Sequence, residues 1–220
     1  MHLIDLSHTI APGMPVFSAS APQPSIGPWM SHAQAATSGR YQGCTCEITE
    51  VHFITSLGTY LDSPFHFDPG GRSIEQLPLE DLVLPGVVID CTHLRPRRPI
   101  EPDVLRGVDL AGKAVLLHTG WSRFWGEPTY ADYPFPTGET AAALREGGAR
   151  LVGIDTLVID DMRNPHRPVH VTLLRGGILI VENLTNLEAL PPAGFTFNAV
   201  PAKVAGAAAF PVRAYATITD

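Results

Sequence analysis

Long apolar runs are scarce in this chain. The longest, residues 177–181 among them, fall far below the roughly 18 residues a helix needs to span a bilayer, so no membrane protein is expected. The opening residues Met1-His2-Leu3-Ile4-Asp5 lack the basic head and apolar stretch of a secretory leader, which points to a cytoplasmic address. Basic residues are also few. Lys and Arg number 15 against 22 Asp and Glu, a formal net charge of -7. The densest basic stretch, 95–98, is interrupted by Pro96 and reads as a solvated turn, so no nucleic-acid surface is expected. Cysteines number 3, an odd count that argues against a disulfide framework. Cys44 and Cys46 share a strand face that would suit a soft metal, but small apolar side chains facing a core are the simpler reading. Phosphate-cradling glycine loops and dinucleotide fingerprints are missing. Gly120-Trp121-Ser122-Arg123 is no nucleophile elbow, because Phe124 stands where the second glycine belongs.

Turn chemistry is what the chain has in quantity, with 21 Pro and 20 Gly in 220 residues. Hydrophobic residues make up 45% and charged residues 17%, which excludes a disordered chain and leaves one loop-rich domain over residues 1–220. Residues 11–43 carry Pro12, Pro15, Pro22, Pro24 and Pro28 and are expected to be an irregular excursion at a site or a subunit interface. Short aliphatic or β-branched segments bounded by turn residues predict strands at 2–7, 45–53, 83–90, 114–118, 151–154, 178–181, 195–200 and 212–218. Helix signals are fewer. Thr137 opens a helix that stops at Gly147-Gly148, and Pro102 sits in the first turn of a short one at 101–105. Many strands with few helices predict a mixed α/β domain whose partly antiparallel sheet closes toward a barrel.

The chemistry concentrates in two segments. In Ser56-Leu57-Gly58-Thr59-Tyr60-Leu61-Asp62-Ser63-Pro64-Phe65-His66, Pro64 keeps Ser63 out of helical conformation. Extended chain then puts Asp62 and His66 on one side, aiming a carboxylate and an imidazole at a common point that would suit zinc or manganese. The competing reading is a local hydrogen-bonded pair. In the second segment, 170–184, Glu182 ends an apolar strand, where a buried carboxylate needs a cation or several donors. Bonding to the amides of the following turn is the plain alternative. Other histidines have ordinary readings: His52 on a half-exposed strand face, His118 buried in a strand, His166 in a proline-rich loop.

The order of these pieces resembles the cyclase-like metal-dependent hydrolases, a family that includes bacterial kynurenine formamidase and isatin hydrolase. The likeness covers nearly the whole chain: Asp5–Val16, Thr119-Gly120-Trp121, Leu151–Thr156 and His170 through Glu182-Asn183-Leu184. It implies the swivelling β/β/α type of fold and a homodimer or homotetramer whose 11–43 segment reaches the neighbour's pocket. The family signature His-x-Gly-Thr-His-x-Asp-x-Pro-x-His reads here Ser56-x-Gly58-Thr59-Tyr60-x-Asp62-x-Pro64-x-His66, so two expected ligands are a serine and a tyrosine. A serine hydroxyl and a neutral phenol are poor ligands, which argues against a two-metal centre.

What survives implies one divalent ion, zinc or manganese, on Asp62, His66 and Glu182, with His170 moving protons. Thr59 and Ser56 are expected near the substrate, Thr59 orienting a ligand from behind. The reaction implied is hydrolysis of a non-peptide C–N bond in an aryl formamide or small cyclic amide. Two alternatives stand beside it. One is a metal-independent acid–base lyase or cyclase using Tyr60, Asp62 and His170; the other is a catalytically silent ligand-binding member of the family. The partner expected is a small-molecule substrate.

Overall fold

The computed structural model describes residues 1–219. Its strands are β1 (His2–Asp5), β2 (Ser25–Met30), β3 (Ile48–His52), β4 (Tyr60–Asp62), β5 (Val83–Asp90), β6 (Pro99–Ile100), β7 (Ala114–His118), β8 (Phe135–Pro136), β9 (Leu151–Ile154), β10 (Leu179–Glu182), β11 (Ala193–Asn198), β12 (Ala209–Pro211) and β13 (Tyr215–Ile218). The helices are α1 (His32–Thr37), α2 (Gly138–Glu146) and α3 (Pro168–Arg175).

The aliphatic runs become the middle of one sheet, ordered β1-β13-β11-β5-β7-β9-β10-β4-β12. Strands β5, β7, β9 and β10 run parallel, and the flanking strands are antiparallel. The mixed sheet curls into a half-barrel. Both of its faces are covered, which is why the central strands read as unbroken apolar runs. Alternation along β7 sends Val115 and Leu117 to the side holding Leu144, Leu173 and Leu174 of the helices, whereas Leu116 packs with Leu6, Phe195 and Phe197 on the other.

Helix α2 starts where Thr137 accepts a hydrogen bond from the Thr140 amide at 3.1 Å and ends at Gly147. Helix α3 starts on Pro168, whose missing N–H costs nothing at a first helical position. Its buried stripe Val169, His170, Leu173 and Leu174 faces the sheet. In sequence each of these helices lies between two parallel strands of the sheet, and the loops that leave β9 and β10 meet where the Asn183 amide donates to the Thr156 carbonyl at 3.0 Å.

Several expectations are adjusted. Strands β5, β7 and β9 have the expected bounds, but the 212–218 run is broken: Val212 makes an isolated bridge to Pro201, and the strand itself is Tyr215–Ile218. The 11–43 excursion contains structure, since β2 pairs with β3 and α1 follows with a capping box on Ser31. Pro28 is tolerated in β2 because the register shifts between Pro28 and Met30 in a two-stranded, edge-only ribbon. Cys44 is exposed, Cys46 half-buried, and both precede β3; Cys91 is buried with its thiol pushed up to about 12 by burial. The 101–105 helix is a 3-10 turn at Pro102–Leu105. Among the described residues no helix is long and apolar enough to cross a membrane.

Candidate metal centre

Register places the first acidic pair. In β10 and β4, Ile180 is opposite Asp62 and Glu182 opposite Tyr60, so Tyr60, Asp62 and Glu182 project from the face that α3 covers. Helix α3 then sets His170 above them. After β4 the chain turns into a 3-10 turn, Pro64–His66, which swings His66 back toward Asp62.

Asp62, His66 and His170 each offer a ligand atom within 4.8 Å of the others. His66 Nε2 lies 3.8 Å from Asp62 Oδ1, and His170 Nε2 lies 3.8 Å from Asp62 Oδ2 and 3.3 Å from Glu182 Oε1. Neither Arg nor Lys pairs with Asp62 or Glu182 among the described residues.

Glu182 is fully buried, and its oxygens have other partners too: the Ile159 amide donates to Oε1 at 2.6 Å, and the Tyr60 hydroxyl donates to Oε2. Burial and the two facing carboxylates push the Tyr60 phenol well above its ordinary value. Tyr60 acts here as a hydrogen-bond donor to Glu182.

Asp62 decides whether a cation fits. It is fully buried, and neither carboxylate oxygen receives a hydrogen bond. Burial and the nearby Glu182 push its carboxyl well up, against the pull of His170. A buried carboxylate without donors lacks compensation that a dication supplies, and imidazole nitrogen with carboxylate oxygens is a donor set that zinc and manganese accept. The residues present fit the ion.

The two histidines differ in setting. His170 is buried and pinned: Asp160 Oδ2 lies 2.6 Å from its Nδ1, and the Asp160 carboxylate also accepts the Val169 and His170 amides at 2.9 and 3.0 Å. Burial pulls its pKa down, but the bonds to Asp160 and Glu182 outweigh that and raise it to about 10. His66 keeps 30% of its side chain exposed, and burial together with the charge of His170 lowers its pKa. It borders a cavity of about 180 Å³ shared with Ser56, Tyr60, Phe67, Arg167 and His170.

A wider crevice of about 460 Å³ contains His118, Arg123 and Glu188, but none of the converging groups above. Thr59 is turned elsewhere: its hydroxyl donates to the Asn183 carbonyl at 2.5 Å and accepts the His8 amide at 3.0 Å, tying the chain start to the end of β10.

Two residues escaped the sequence reading. Asp160 acts on a residue ten positions further along the chain, and only its position in the Asp160-Asp161 pair before a proline-initiated helix hinted at a cap. Arg167 borders the cavity from the αL position preceding Pro168.

The family model described as "Putative cyclase" matches residues 4–161. The chain belongs to that family. A kynurenine formamidase of Geobacillus thermodenitrificans is 32% identical over 213 residues, covering 96% of this chain and 95% of the relative. Isatin hydrolase A of Labrenzia aggregata, solved with benzyl benzoate bound, superposes with a TM-score of 0.87 at 25% identity, over 100% of this chain and 94% of that one. A predicted metal-dependent hydrolase of Bacillus stearothermophilus aligns with a TM-score of 0.76 at 29% identity, over 98% and 97% of the two chains. Within this cyclase-family chain, Tyr60 is the hydrogen-bond partner of Glu182.

Proposed function

We propose that this protein hydrolyses the C–N bond of a small aryl formamide or cyclic amide at a centre for one divalent cation, zinc or manganese. The observation that carries this reading is the fully buried Asp62 carboxylate, bare of hydrogen-bond donors and flanked by two imidazoles. The likeness to a kynurenine formamidase and to an isatin hydrolase supports the substrate class.

The ligands proposed are Asp62, His170 and Glu182, with His66 moving protons. The sequence alone predicts the opposite parts for the two histidines. Two features favour the exchange. His170 has its Nδ1 fixed by a carboxylate and its Nε2 aimed at two others, the arrangement that orients a metal-bound imidazole. His66 borders the cavity, where a substrate would lie.

A bound dication supplies Lewis acidity toward a carbonyl oxygen. The chain supplies the rest. His66 takes a proton from water as the water oxygen bonds to the carbonyl carbon, then returns a proton to the nitrogen as the C–N bond breaks. For an aryl formamide and one water, the products are an aryl amine and formic acid. Tyr60, donating to Glu182, holds that carboxylate in place, and the walls around Phe67 and Val158 present an apolar surface to the ring.

Manganese-loaded protein is expected to release aniline from formanilide. His66→Ala is expected to retain its metal while losing roughly 100-fold or more in kcat. Loss of the metal from His66→Ala with turnover surviving in His170→Ala would reverse the two roles.

Assembly as a homodimer or homotetramer belongs to the same proposal. The β2–β3 ribbon stands off the sheet with Ile26, Trp29, Ile48 and Val51 exposed, apolar surface of a kind that a second copy covers. A cytoplasmic protein acting on a small molecule is the setting proposed for it.

A further inference from the structure

One group at the cavity has no part in the centre just described. Arg167 borders the same space of about 180 Å³ as His66, His170 and Tyr60, and its Nη1 is buried without a hydrogen-bond partner. A guanidinium nitrogen removed from water with nothing to donate to is costly, and native structures rarely leave one so.

The acids around it are committed elsewhere. Asp161 forms a two-pronged pair with Arg163 at 2.8 and 2.9 Å, and Asp160 accepts from His170 and two amides. The backbone holds Arg167 at φ 46, ψ 55, a left-handed conformation that a non-glycine residue adopts only when its surroundings impose it. Pro168 follows directly and fixes the chain on that side. The side chain is thereby placed on the wall of the cavity, three residues ahead of His170, with an unused donor.

We infer that Arg167 anchors a carboxylate of the substrate, so that the pocket selects anionic aryl formamides or amides over neutral ones. The inference rests on the hydrolytic reading above and names its substrate class. A planar guanidinium matches a carboxylate by donating paired N–H bonds to its two oxygens, acceptors that a neutral ring does not offer. An apolar hole of about 150 Å³ takes up a benzene ring, so a space of about 180 Å³ has room for one ring with small polar substituents. Phe67 and Val158 meet the ring, His66 the scissile group, and Arg167 the charge.

The test compares wild type with Arg167→Met and Arg167→Lys on formanilide and the three formamidobenzoates. Wild type is expected to favour one formamidobenzoate in kcat/KM. Arg167→Met is expected to cut that preference roughly 10- to 100-fold, mainly through KM, and Arg167→Lys to keep part of it. A preference unchanged in Arg167→Met overturns the inference.

Calorimetry with benzoate and benzamide on the same proteins separates this inference from the hydrolytic reading. If none of the formamides turns over, that reading fails, yet benzoate binding that weakens in Arg167→Met while benzamide binding does not still assigns the anchor. Equal benzoate affinity in wild type and Arg167→Met, as for benzoate held by the metal alone, removes it.

Discussion

Tyr60 is buried, and its hydroxyl donates to Glu182 beside the cavity that His66 and His170 border. Tyr60→Phe removes the donor and leaves a buried carboxylate oxygen short of a partner, so it is expected to lower stability by about 1–3 kcal/mol, read by thermal or urea melts. An unchanged melting point would mean the pair contributes nothing. Asp160 acts differently, capping α3 and fixing the His170 ring. Asp160→Asn keeps a capping oxygen but weakens the hold on the imidazole. Metal affinity is expected to fall roughly 10- to 100-fold, measured by competition with a chelating dye. Asp62, His66 and Glu182 could be picked out from the sequence because Pro64 and the end of an apolar strand fix them locally. Asp160 and Arg167 could not, since their meaning depends on a loop that folds back beside the centre.

Elements buried on both faces were the most legible. Strands β5, β7 and β9 have the expected bounds because an aliphatic run between turn residues has no other way to satisfy its side chains. Helix α3 was not foreseen: Val169, Val171 and Thr172 are β-branched, and only Pro168 at its start signals a helix. Its stability comes from the sheet beneath it. Strand β4 has three residues, too few to show alternation, and exists because β10 and β12 pair on either side of it. The fit between strands is tight at Gly153, where an added Cβ would stand 2.6 Å from both Leu116 and Leu184 side chains. Gly153→Ala is expected to destabilise the fold by about 1–3 kcal/mol through overpacking. A neutral result in denaturant melts would show that β9 has room to shift.

For the molecule as a whole, His8 links folding to pH. It stacks on Trp125 with ring centroids 3.8 Å apart, and burial lowers its pKa to about 4. The unfolded chain takes up this proton below about 6.5, whereas the folded chain does so only near 4. Stability from this group is therefore full above about 6.5 and declines as pH falls toward 4. Between pH 6.5 and 5, wild type is expected to lose more melting temperature than His8→Phe; parallel curves would refute the linkage. The exposed ribbon bears on assembly in the same way. Trp29→Asp, changing a side chain that is 60% exposed, is expected to lower the mass seen by light scattering, and an unchanged mass would move the interface elsewhere.

Hydrolysis at this site requires a dication held between Asp62, His170 and Glu182, and metal content tests that most directly. Wild-type protein loaded with zinc or manganese at neutral pH and freed of excess ion is expected to retain about one equivalent per chain. Asp62→Asn and His170→Ala are expected to retain almost none. Wild-type protein that emerges metal-free, or an Asp62→Asn variant as full as its parent, would contradict it.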